Sequence, residues 1–121
     1  MEASSHSSRF AGVAWLLGGI AVVLGAIGSH AVESPQAKDW IRLASQFQLI
    51  HVLAILLSLH VLGRPRWTVY AFLLGIVLFC GGLYGLSFTS LEIFRKVTPI
   101  GGLCLILGWF GSAVISIRKI S

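Results

Sequence analysis

The chain is expected to be an all-α membrane protein, with four transmembrane helices in an up-down-up-down bundle. Three observations carry that expectation. First, its 121 residues are 56% hydrophobic and only 11% charged, whereas about a quarter of the residues in soluble domains are charged. A soluble fold this small has too little interior to hide so much apolar surface. Second, no Asp, Glu, Lys or Arg occurs in Phe10–Val32, Leu43–Gly63, Trp67–Leu91 or Val97–Ile117, runs of 23, 21, 25 and 21 residues. Each supplies the roughly 20 apolar residues that cross a bilayer core at helical rise. Third, all nine basic and four acidic residues fall in the short segments between and beyond those runs. A soluble helical protein would instead carry a charged stripe along each helix.

Residues 1–9 read as a polar N-terminal tail, and the first helix as about 10–31. Its uncharged run exceeds the apolar region of an ordinary signal peptide, so it is expected to be retained as a span. Ser34-Pro35 starts the second helix, about 35–62, with Ser34 as the N-cap and proline at the first helical position. Its first turns, Gln36 to Gln46, are polar enough for the bilayer interface, with Trp40 as an anchor. Gly63 and Pro65 end it. The third helix is expected at about 66–90. Thr98-Pro99 repeats the cap-plus-proline signal and predicts a fourth helix over about 98–117, followed by a basic tail at 118–121. The whole of 10–117 reads as one transmembrane domain, and its short connections favour antiparallel neighbours.

Small residues prepare the helices for close approach. Gly18, Gly25 and Gly28 mark the first helix, with Ala21 and Ser29 sharing the face of Gly18 and Gly25. Gly81, Gly82 and Gly85 mark the third, where Gly81 and Gly85 form a GxxxG pair, and Gly101, Gly102 and Gly108 mark the fourth. Gly18, Gly25 and Gly28 also echo in Gly75, Gly82 and Gly85. Among 14 glycines chance recurrence is the simpler account, and a duplicated hairpin is the alternative.

Net charge is +5, but the basic residues are scattered over five short flanks. They suit anionic lipid head groups rather than nucleic acid. Arg9, Arg64, Arg66, Arg118 and Lys119 border one membrane face and Lys38, Arg42, Arg95 and Lys96 the other, which leans towards termini inside. Cys80 and Cys104 lie within spans and read as reduced, small apolar side chains.

Polar side chains inside a membrane need a reason. Trp40, Ala44, Phe47, Gln48 and His51 share one face of the second helix. Ser29 and His30 close the first helix at the same membrane side, Tyr84 approaches it on the third, and Thr98 opens the fourth. His51 lies about 12 Å in from Leu43 and Tyr84 about 10 Å in from Leu91 at 1.5 Å per residue. The candidate cluster is therefore Ser29, His30, Trp40, Gln48, His51, Tyr84 and Thr98. Its plain role is hydrogen bonding across the contact between the first two helices. Ligation of haem or a metal by His30 and His51 is the alternative, although no third ligand at suitable spacing is evident, and no metal site or cofactor is predicted.

Four motifs in order carry a family resemblance: Gly25-Ala26-Ile27-Gly28-Ser29-His30; Trp40 through Ala44, Phe47, Gln48 and His51; Phe79-Cys80-Gly81-Gly82-Leu83-Tyr84; and Thr98-Pro99-Ile100-Gly101-Gly102 with Gly108-Trp109. Over about Gly25 to Trp109 the chain resembles the domain-of-unknown-function 423 family, the transmembrane-protein-256-like small membrane proteins. Phe47 stands where that family usually has Tyr, Cys80 where it has Ser, and Ser29 where it has Ala. The resemblance implies a four-helix protein of a bacterial cytoplasmic or mitochondrial inner membrane, and no agreed activity.

No span carries a carboxylate, Lys or Arg, and no GxSxG, HExxH or Walker pattern is present. The expectation is a non-catalytic accessory subunit or assembly factor, partnered by lipids and by other membrane subunits or further copies of itself. Alternatives are a lipid-, quinone- or haem-binding module using His30, Gln48, His51 and Tyr84, and a small oligomeric channel or transporter.

Overall fold

A computed structural model describes residues 5–62 and 65–120. Four helices, each long and apolar enough to cross a membrane, follow one another antiparallel: α1 (Ser5–Ala31), α2 (Pro35–Leu62), α3 (Trp67–Phe88) and α4 (Ile93–Ile120). The bundle is open. The backbone of α1 approaches only α2, whereas α2, α3 and α4 pack on one another. Phe72, Ile55, Val69 and Cys80 are fully buried at the centre of that group. Trp15, Leu16 and Val22 on α1 and Leu103, Phe110 and Ile117 on α4 face outward. Such apolar belts suit a lipid solvent, where outward apolar groups cost nothing.

The expected cap of α2 is present: the Ala37 amide donates to Ser34 Oγ at 3.3 Å. Other boundaries differ from the sequence expectation. Helix α1 begins by Ser5, within the segment read as a tail, and α4 continues to Ile120 through the expected basic tail. An uncharged run marks the part of a helix that meets hydrocarbon, and the hydrogen-bonded ladder extends beyond it into the interface. Helix α3 stops at Phe88, where Thr89 turns extended and its hydroxyl bonds back to the Gly85 carbonyl at 2.8 Å. Residues 1–4, Gly63, Arg64 and Ser121 lie outside the described residues, so the stop expected at Gly63 and the charge at Arg64 do too.

Helix α4 starts at Ile93 rather than at the Thr98-Pro99 signal. Thr98 does not cap; its hydroxyl donates to the Phe94 carbonyl at 2.6 Å, inside the helix. Pro99 removes the hydrogen bond that the Arg95 carbonyl would accept. That carbonyl lies in the first turn of α4, beside the exposed Arg95 side chain.

Helix α3 contains a π-helical turn at Ile76–Cys80, which no residue pattern announced. Opposite it, α4 comes close: a Cβ on Gly101 would overlap the backbone of Leu78 and Phe79. The GxxxG pair needs correction. Gly82 and Gly85 face Thr98 and Phe94 of α4, but a Cβ on Gly81 would meet nothing within 4 Å.

The glycine echo has a structural counterpart. In the first hairpin Gly18, Gly25 and Gly28 lie against Val52, Ser45 and Ile41; in the second Gly75, Gly82 and Gly85 lie against Leu105, Thr98 and Phe94. One offset, 57 residues, relates the glycines, and another, 53, relates all three partners. The 53-residue offset also carries the Asp39–Arg42 ion pair onto Glu92–Arg95. Three glycine contacts and an ion pair repeated in common register make the fold two like hairpins laid in the same direction, a parallel repeat.

Candidate functional site

Helix α2 is the hub of the polar interior. Ser45 Oγ donates to the Ala21 carbonyl of α1 at 2.9 Å. One turn further, Gln48, only 3% exposed, donates through Nε2 to the Leu17 carbonyl at 2.7 Å. Its Oε1 accepts from the Tyr84 hydroxyl of α3 at 2.9 Å. A single amide thus joins three helices. Near the interface the Ser87 hydroxyl donates to the Leu83 carbonyl of its own helix at 2.8 Å and lies 3.3 Å from the Ala37 carbonyl of α2.

His51 lies deeper. Its Nδ1 is 2.6 Å from the Phe47 carbonyl, and its Nε2 is 2.9 Å from Trp109 Nε1. An indole N–H only donates, so Nε2 accepts and the ring proton sits on Nδ1, donating to Phe47. The two partners therefore select the neutral Nδ1–H tautomer. Phe47, Phe72 and Trp109 each stand 5.8 Å from the imidazole, centroid to centroid. The result is a polar ring in an aromatic sleeve, with both nitrogens engaged by the chain itself.

Of the expected cluster, Gln48 and Tyr84 meet directly, and His51 adjoins them on the same helix. Trp40 is half-buried against the core, and Thr98 bonds within its own helix beside Gly82. His30 is exposed in a shallow recess with Ala26, Ile27 and Ala31. Gly28 is the last glycine of α1 to touch α2, and a residue two positions later points to the other side of a helix. His30 and His51 therefore do not converge. The side chain of Ser29 lies outside the described part of the structure. Trp109, placed within a family motif but not in the expected cluster, is the missed member. Its mid-span position was the available signal, because a tryptophan held away from both interfaces needs an internal acceptor for its N–H.

A second feature lies towards the opposite end of the bundle. An apolar cavity of about 150 Å³ is lined by Ala54, Ser58, Phe72, Trp109 and Ser112. The buried hydroxyls of Ser58 and Ser112 have no hydrogen-bond partner among the described residues.

Four spans without an intramembrane charge, joined by hydrogen bonds through one central helix, define a small integral membrane protein of unassigned activity. The family model described as a protein of unknown function, DUF423, matches residues 24–102. The chain belongs to that family. It is 36% identical to the UPF0382 inner membrane protein YgdD of Escherichia coli (strain K12), over 93% of this chain and 92% of the relative. A UPF0382 membrane protein of Haemophilus influenzae is 32% identical over 86% and 90%. One of Staphylococcus epidermidis is 30% identical over 82% and 87%. No solved structure matches the chain.

Proposed function

We propose that this protein is a non-catalytic accessory subunit or assembly factor of a larger membrane complex. The observation supporting this reading is that the deep polar side chains, Gln48, Tyr84, His51 and Trp109, bond to one another or to helix carbonyls. Groups held this way fix the relative positions of helices. The chain then offers partners a rigid apolar surface, chiefly the outward faces of α1 and α4. On α1 that surface includes Gly12 and Gly19, where a Cβ would meet nothing within 4 Å, so a partner helix can approach closely.

The test is purification of tagged protein from its native membrane in mild detergent, followed by mass spectrometry of the eluate. A partner at fixed stoichiometry is expected. Repeated recovery of the chain alone, across several mild detergents, would overturn the proposal.

A second reading, a module binding a lipophilic small molecule, is favoured by the cavity at Ser58 and Ser112. Two unpartnered hydroxyls beside apolar walls suit a ligand with a long apolar body and one hydrogen-bonding head. Organic extraction of the purified protein, with Ser58→Ala/Ser112→Ala as the comparison, tests it. A bound lipophile lost from the variant supports this reading, and equal lipid content in both removes it.

A further inference from the structure

The groove between α1 and α2 at the connection end of the first hairpin is polar, encloses about 270 Å³, and is lined by Gly25, Gly28, Lys38, Arg42, Ser45 and Gln46. We infer that it binds the phosphate of an anionic phospholipid head group.

The groove's shape comes from glycine. At Gly28 a Cβ would overlap Ile41, and at Gly25 it would sit 2.8 Å from Ser45 Oγ. The helices therefore close tightly at the floor while the walls above it stay open. Lys38 and Arg42, one helical turn apart, put two cations on the same wall. Among the described residues no carboxylate lines the groove. The Arg42–Asp39 ion pair there, at 3.4 Å, leaves both side chains about 70% exposed (69% and 73%) and contributes little. Among the described residues Lys38 has no carboxylate partner. Ser45 already donates to Ala21, so the available donors are the ammonium, the guanidinium and the Gln46 amide. Ammonium and guanidinium groups are the standard partners of phosphate oxygens.

Depth decides between ligand sources. Lys38 and Arg42 precede the uncharged run of α2, which places them at the level of lipid phosphates. The second hairpin provides an internal comparison. At the 53-residue offset Arg42 corresponds to Arg95, but Lys38 corresponds to the apolar Leu91. The equivalent glycines there lie against the Phe94 ring and Thr98, bulkier than the Ile41 and Ser45 of the first hairpin. The site is thus a property of one hairpin, beyond the diffuse attraction of basic flanks to a membrane.

The experiment is native mass spectrometry of the full chain in detergent, titrated with phosphatidylglycerol or phosphatidylcholine. Lys38→Gln/Arg42→Gln is compared with Arg95→Gln/Lys96→Gln, which removes the same charge from the same membrane side. The groove double variant should bind phosphatidylglycerol on the order of thirtyfold more weakly, and the control should change less than about threefold. Lys38→Arg/Arg42→Lys, which keeps both charges, should retain binding and exclude a folding defect as the cause. Equal weakening in both Gln doubles, or in neither, would overturn the inference. Displacement of phosphatidylglycerol by millimolar inorganic phosphate would assign the groove to a soluble phosphate and overturn the lipid assignment.

Discussion

Replacing Gln48 by Leu conserves bulk and removes a side chain that joins α1, α2 and α3. Two interhelical bonds are lost, to the Leu17 carbonyl and from the Tyr84 hydroxyl. Such bonds in a bilayer are worth about 0.6 kcal/mol on average and up to about 1.7. The Leu17 carbonyl remains within the ladder of α1, but the half-buried Tyr84 hydroxyl loses its acceptor. The expected loss for Gln48→Leu is about 1–3 kcal/mol. Tyr84→Phe alone should lose about 0.6 kcal/mol, the single bond. With both replaced no group is stranded, so the double variant should be more stable than the sum of the singles predicts, by about 0.6–1.7 kcal/mol. Reversible unfolding with SDS in mixed micelles, followed by far-UV circular dichroism, measures all four corners. A coupling below about 0.3 kcal/mol, the level at which independent sites already add, would refute the bond between the two side chains as a fastening.

Three further outcomes are expected. Imidazole nitrogen NMR should find His51 as the neutral Nδ1–H tautomer with a hydrogen-bonded Nε2, and Trp109→Phe should remove the Nε2 signature; a protonated ring or the other tautomer would contradict the assignment. Gly101→Ala should destabilise by about 1–3 kcal/mol, because its methyl meets the backbone of Leu78 and Phe79, which cannot yield. Gly12→Ala, with open space around it, should be neutral or stabilising by up to about 1 kcal/mol, and equal losses at both sites would refute the packing. Thr68 is fully buried and its hydroxyl has no partner among the described residues. Thr68→Val should therefore raise stability by about 1 kcal/mol, and a loss in the same SDS titration would show that the hydroxyl is bonded.

The hub on α2 also explains why the first hairpin holds together. Helix α1 touches the rest of the protein almost entirely through α2, with one edge-on ring contact, Phe10 to Tyr70, reaching α3. Ser45 and Gln48 reach across to carbonyls at two successive turns of α1. Without a hydrophobic drive between helices in lipid, those bonds and the glycine contacts are what oppose separation of α1.

The amino-acid pattern by itself determined the four spans, their antiparallel order and the membrane as solvent, since these follow from where charge is absent. It also brought His51 and Tyr84 to similar depths, because helical rise converts residue number directly into distance. Tertiary structure decided what counting cannot reach, namely which faces turn towards each other. It turned His30 outward, gave the histidine at position 51 a tryptophan fifty-eight residues away, and moved the start of α4 ahead of its proline. It also raised a faint repetition of glycines to two hairpins in one register. Depth in a bilayer is a property of single helices, whereas partnership depends on the rotation of each helix about its axis, which only packing sets.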